Sequence, residues 1–178
     1  MPDYMTTYGG THFYPTKPVM EDIHIRDIAH ALSLLCRGNG QVTHFFSVGQ
    51  HCINCCREAK ARGYSNRLVL ACLLHDASEA YMADLIRPLK KDMPEYIRHE
   101  EHLLQVIYEK YLGSPLSEEE QRLVKIVDDD MLYFDMLNLL KEPQNRPEPV
   151  MKSDFSQEFV PFEQVEQQYL ELFHQYYN

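Results

Sequence analysis

The sequence predicts an all-α fold, a compact helical bundle in a single domain. Three observations carry this. Apolar residues recur at three- and four-residue spacing in several windows. Helix-start residues and Gly or Pro stops bracket those windows. No convincing set of strands is present. The chain has 178 residues, 44% of them hydrophobic, which suits one domain with a real core. The expected division is an N-terminal arm over 1–20, a helical core over 21–142, and a loop with a C-terminal helix over 143–178 packed on the same domain.

Residues 1–20 are rich in Tyr, Pro, Thr and Gly and read as an irregular arm. A first helix runs from Asp22 or Asp27 to Cys36, with Ile25, Ile28, Ala29, Leu32 and Leu35 on its apolar stripe. Gly38 and Gly40 end it. A second starts after Ser47, a good N-cap, and runs to about Ala61, with Gly63 closing it. A third, capped near Ser65 or Asn66, holds the run Leu68 to Leu74 and continues into His75-Asp76. A loop with Pro88 follows. A fourth helix spans about Pro94 to Tyr111, with proline in its first turn. Ser117 with Glu120 opens a fifth in capping-box fashion, continuing to about Leu140. Prolines 143, 147 and 149 mark a surface loop. A last helix runs from about Pro161 to Tyr176.

Seventeen basic and 27 acidic residues give a formal net charge of -10. An acidic surface repels a nucleic-acid backbone, so a DNA or RNA polymer is not expected as partner. A small phosphorylated ligand in a local basic pocket is compatible. The five cysteines are odd in number, and the start, Met1-Pro2-Asp3-Tyr4, lacks the pattern of a secretory leader. No apolar stretch is long enough to span a bilayer. The expectation is a cytoplasmic protein with reduced thiols and no membrane contact.

The chemistry centres on His75-Asp76. The run before it is apolar on every side, so it reads as a buried helix. A charged Asp at its end is costly without compensation. A bound metal ion would compensate; so would a hydrogen bond between His75 and Asp76. Glu79, four residues past His75, falls on the same face if the helix continues. Further candidates are His44, His51 and the acidic run Asp128-Asp129-Asp130. Periodicity favours an inward Asp128 or Asp130 without choosing between them.

The order His51, His75-Asp76, Asp128 resembles the H…HD…D signature of HD-domain metal-dependent phosphohydrolases. The segments 27–33, Cys36-Arg37, Asn39-Gly40, 47–51, 75–81, Asp84, Pro88-Leu89-Lys90 and Val124-Lys125, followed by Leu132 and Asp135, are also similar to small bacterial and phage HD hydrolases and 5'-deoxynucleotidases. The resemblance spans roughly residues 7 to 140 and selects Asp128 over Asp130. It implies an HD-type bundle holding one divalent transition metal ion (Mn, Co, Ni, Fe or Zn) on His51, His75, Asp76 and Asp128. It gives catalytic roles to Glu79 and Asp84 and phosphate binding to Arg37, with Lys90 adding a point charge.

The implied activity is a 5'-nucleotidase on (deoxy)nucleoside monophosphates. Two alternatives stand beside it: a nucleoside triphosphate hydrolase, and a non-catalytic nucleotide-sensing protein. Relatives of this kind are often oligomers, so self-association is expected from the resemblance alone. The chain departs from the pattern at Gly38, where deoxynucleotidases carry a large aromatic residue that tests the sugar. Ala80 stands where alarmone hydrolases carry a second acid. Cys52, Cys55 and Cys56 read as core packing, because their C-x-x-C spacing has no second pair. His99 and His102 are three apart, not the four of a zinc-protease helix. His24, His30 and the terminal aromatics read as structural.

Overall fold

The computed structural model describes residues 3–177; Met1 and Pro2 of the expected arm and the terminal Asn178 lie outside the described residues. The fold is all-α. Its long helices are α1 (Ile25–Leu34), α2 (Val48–Ala61), α3 (Asn66–Leu74), α6 (Pro94–Leu112), α7 (Glu118–Phe134) and α8 (Phe162–Tyr176). Two single-turn helices, α4 (Glu79–Met82) and α5 (Arg87–Lys90), lie between α3 and α6. The arm is less irregular than expected: β1 (Met5–Thr6) pairs antiparallel with β2 (His12–Phe13). Gly9 in its turn donates to the buried Asp27 Oδ1 at 2.7 Å, which ties the hairpin to α1.

α3 is the central element. Every residue from Leu68 to Leu74 is buried. Each such leucine contributes about 1.5–3 kcal/mol of apolar burial. α2, α6, α7 and α8 all pack against it, and α8 also packs along α1. From α8, Val165, Tyr169, Phe173 and Tyr176 enter the core. The buried Tyr169 hydroxyl donates to the Leu73 carbonyl at 2.8 Å. The terminal aromatics are thus packing residues, with Tyr177 stacked on Phe173.

Capping chemistry sets the best-defined starts. Ser47 and Gln50 form a reciprocal capping box on α2, and Ser117 and Glu120 form another on α7. Three boundaries differ from expectation. α1 stops at Leu34, because Cys36 leaves the helix to bridge Ser47, with Arg37 N–H on the Phe46 carbonyl and Val48 N–H on that of Leu35. α3 ends at Leu74, and residues 75–78 form a tight turn with Ala77 N–H on Leu74 and Glu79 N–H on Asp76. Glu79 therefore opens a separate helix and does not share a face of α3. The fifth helix ends at Phe134 and passes into a π turn over Asp135–Leu139. Among the described residues no helix is long and apolar enough to cross a membrane.

Candidate functional site

Three segments converge at the C-terminal end of α3. The end of α3 supplies His75 and, in the turn beyond it, Asp76. α2 supplies His51, which is fully buried. α7 supplies Asp128. Asp128 Oδ1 lies 3.2 Å from His51 Nε2 and 3.7 Å from His75 Nε2, and Asp76 Oδ2 lies 3.3 Å from His75 Nε2. The sequence candidates His51, His75, Asp76 and Asp128 are thus together. Asp130 is turned away into ion pairs with Arg62 and Arg146. Asp129 pairs with Lys125 and Arg87. His44 is exposed and bonds the Gln157 carbonyl.

The hydrogen bonds fix how the imidazoles face. His75 Nδ1 is 2.8 Å from the Cys72 carbonyl, which can only accept, so Nδ1 carries the hydrogen. His51 Nδ1 likewise donates to Asp135 Oδ2 at 2.8 Å. Each neutral ring then presents an Nε2 lone pair to the Asp128 carboxylate, acceptor against acceptor. His75 Nε2 is buried and without a hydrogen-bond partner. A cation between these atoms, or a proton on each ring, removes the conflict. The electrostatics agree. Burial opposes protonation of His75, but Asp76 and Asp128 outweigh it and raise its proton affinity. For His51, burial and the Arg37 charge oppose protonation, and Cys55, Asp135 and Asp128 outweigh them. Burial disfavours ionised Asp76 and Asp128, yet the imidazoles hold both below the usual carboxylate range.

His, Cys and Asp ligand atoms here are close enough to hold a metal ion. Those of His51, Cys55 and His75 lie within 4.8 Å of one another, as do those of Cys52, His75 and Asp76. The cysteines expected only to pack the core therefore border the imidazoles. The donors fit a borderline divalent ion such as Zn or Co, with Asp128 closing the set through its contacts to both rings.

Asp76 and Asp128 carry the cluster to the wall of a cavity of about 850 Å³, whose polar lining also includes Arg37, Glu79, Asp84, Lys90 and Asp135. The Cys36–Ser47 bridge holds Arg37 beside α2. Arg37 Nη1 lies 3.4 Å from Asp76 Oδ2, and Nη2 lies 3.3 Å from Asp135 Oδ2. Burial works against the Arg37 charge, but Asp135 and Asp76 overcome it and keep the guanidinium protonated. The chain then turns sharply: Gly38 and Asn39 both have left-handed φ, 59° and 53°. A Cβ on Gly38 would stand 3.4 Å from Leu140 Cδ2, so that wall of the cavity is already apolar.

Glu79 is buried, and its Oε2 has no partner. Burial first, then the Asp76 and Asp84 charges, push its proton affinity well above the ordinary value. Asp84 is shifted upward by burial as well. Lys90 lines the cavity but pairs with Glu100, so much of its charge is already answered. His30 bonds Glu166 and stacks on Tyr8 beside a smaller, separate cavity.

Two further contributors carried faint sequence signals. Asp135, whose Oδ1 also accepts from Gln157 at 2.6 Å, follows Asp128 by two helical turns. Cys55 follows His51 by one turn, with Sγ 3.5 Å from Nε2.

Comparison with known proteins gives two similar chains. The uncharacterized protein YfdR of Escherichia coli K12 is 42% identical over 139 residues, which is 78% of this chain and 70% of that protein. The uncharacterized protein RCAP_rcc00048 of Rhodobacter capsulatus is 35% identical over 118 residues, 62% of this chain and 60% of that one. No protein-family model matches.

Proposed function

The chain belongs to the protein family of Escherichia coli YfdR, and from that premise we propose that it is an HD-type, metal-dependent phosphohydrolase of nucleotides, acting as a 5'-nucleotidase on (deoxy)nucleoside monophosphates. The name YfdR carries no activity, so the reading rests on the site. One observation carries it: two carboxylates, Asp76 and Asp128, line a cavity together with Arg37 and Glu79, whose Oε2 is unpartnered, and the Nε2 atoms of His51 and His75 meet those carboxylates from behind. His51, His75, Asp76 and Asp128 would hold the ion. When bound, a divalent ion lowers the pKa of a water molecule and offsets charge on a phosphoryl group.

The other steps belong to the chain. Arg37 presents a planar, permanently charged donor to phosphate oxygens. Its pairs with Asp76 and Asp135 keep it in position before a ligand arrives. Hydrolysis adds a water oxygen to phosphorus, breaks the P–O ester bond and returns a proton to the leaving alcohol. Glu79 moves that proton: its buried Oε2 is free of other partners, and burial with the Asp76 and Asp84 charges makes it a stronger proton acceptor than an ordinary carboxylate. Asp84 sets the charge Glu79 feels and shares the cavity wall. The apolar side, with Val42, Leu132, Met136 and Leu140, takes the uncharged part of the nucleotide.

A second reading, a nucleoside triphosphate hydrolase, is favoured by one feature. Arg87, Lys90 and Arg146 line the same cavity and could meet a longer phosphate chain. A panel of nucleoside mono- and triphosphates, assayed with several divalent metals and products identified by mass, separates the two. Orthophosphate from monophosphates supports the nucleotidase; triphosphate or pyrophosphate release supports the second reading. Chelation and Asp76→Ala should each abolish turnover. Full activity in Asp76→Ala would reject both.

A further inference from the structure

We propose that Cys55 supplies a sulfur ligand to the ion held between His51 and His75, making the site selective for thiophilic divalent ions over Mg2+. The inference rests on the metal-centre part of the proposed function and not on the nucleotide chemistry. His51 and Cys55 stand one turn apart on α2, so their side chains share a face. Cys55 Sγ is 3.5 Å from His51 Nε2, the nitrogen that Asp135 leaves facing the site. Sγ, His51 and His75 ligand atoms all lie within 4.8 Å of one another.

A second observation points to a ligand independently of the thiol. The His75 side chain is 7% exposed, and its Nε2 is aimed into this cluster with no hydrogen-bond partner. With one sulfur added to the two imidazole nitrogens and the Asp76 and Asp128 oxygens, the donor set becomes N2SO2. Such a set suits Zn2+ or Co2+, whereas Mg2+ prefers oxygen ligands and retained waters. On binding, the Cys55 S–H bond breaks, a metal–sulfur bond forms, and the proton leaves to bulk water. Two other nearby thiols, Cys56 and Cys72, serve as controls. Burial pushes Cys56 up and Cys72 up to about 12, and neither belongs to a cluster of ligand atoms within reach of the imidazoles.

The test is a cobalt titration of full-length protein stripped with chelator. Wild type should show visible d–d bands together with a near-ultraviolet sulfur-to-cobalt charge-transfer band. Cys55→Ser should lose the charge-transfer band and keep the d–d bands; Cys56→Ser and Cys72→Ser should keep both. X-ray absorption of zinc-loaded wild type should show a sulfur neighbour at about 2.3 Å, a readout that needs no variant to fold. Cobalt bound with no charge-transfer band, a band that survives Cys55→Ser, or a shell of nitrogen and oxygen only would overturn the inference. Absence of any cobalt binding would overturn it together with the metal centre. Sulfur ligation in a protein that cleaves no nucleotide would uphold the inference and reject the hydrolase.

Discussion

Asp135→Ala isolates a side chain that acts on the site through the His51 ring. Asp135 Oδ2 accepts from His51 Nδ1 at 2.8 Å and pairs with Arg37 at 3.3 Å, while Oδ1 accepts from Gln157 at 2.6 Å. Asp135 does not touch the proposed ion. Its effect is to hold the His51 ring so that Nε2 faces Asp128. Loss of such an outer carboxylate costs about ten- to hundredfold in metal affinity or activity, which is about 1.4–2.7 kcal/mol. A separate cost falls on stability. Breaking a buried ion pair costs about 3–5 kcal/mol when the other charge is left alone. Arg37 keeps Asp76 at 3.4 Å, so the loss here should fall below that range. Metal affinity is read by competition with a chromogenic chelator, and stability by the urea midpoint. The ion should bind at least tenfold more weakly, with the fold retained. Wild-type affinity in a folded Asp135→Ala protein would refute the orienting role.

Three other predictions follow from residues away from the ion. Glu58, fully buried, accepts from Arg62 Nε at 2.7 Å, from the backbone of Lys152 and Ser153, and from the Ser153 hydroxyl. It fastens the loop before α8, and Glu58→Ala should lower unfolding free energy by about 3 kcal/mol or more, read from urea denaturation; a loss under 1 kcal/mol would contradict this. Burial disfavours charge on Glu58, but Arg62 and Ser153 outweigh it and lower its pKa, so its contribution is complete above the unfolded-state value and lost as pH falls through the folded one. The urea midpoint of wild type should drop with acidification below about pH 4.5 more steeply than that of Glu58→Gln. Gly49→Ala gains about 1 kcal/mol of helix propensity, yet its Cβ would meet Leu32 backbone at 3.2 Å and Val165 at 3.0 Å. Overpacking of about 1–3 kcal/mol should win, seen as a lowered Tm; a raised Tm would show that α1 and α8 yield.

The elements that could be read in advance carry their own local signals. Ser47 with Gln50 and Ser117 with Glu120 announce the starts of α2 and α7, because a capping box is a contact between near neighbours. The break after Leu74 carries no such sign: no Gly or Pro stands between His75 and Tyr81, and the local pattern reads as continuing helix. Only the packed fold turns the chain there. By periodicity Asp128 and Asp130 are alike, because both have apolar neighbours at helical spacing. What parts them is Arg62, 68 positions before Asp130 in the chain, which takes that carboxylate. Lys90 reads as free for phosphate in the sequence because Glu100, its partner, lies on α6. Cys55 reads as core packing in the sequence because spacing counts other cysteines and is blind to a histidine arriving from the end of α3.

Metal stoichiometry tests the centre most directly. Protein prepared with Mn, Co, Ni, Fe and Zn available, then analysed by mass spectrometry of its elements, should carry a single divalent ion per chain. His75→Ala and Asp128→Ala, each still helical by circular dichroism, should carry none. Wild-type protein that stays metal-free under those conditions, or an Asp128→Ala chain as fully loaded as wild type, would contradict the account.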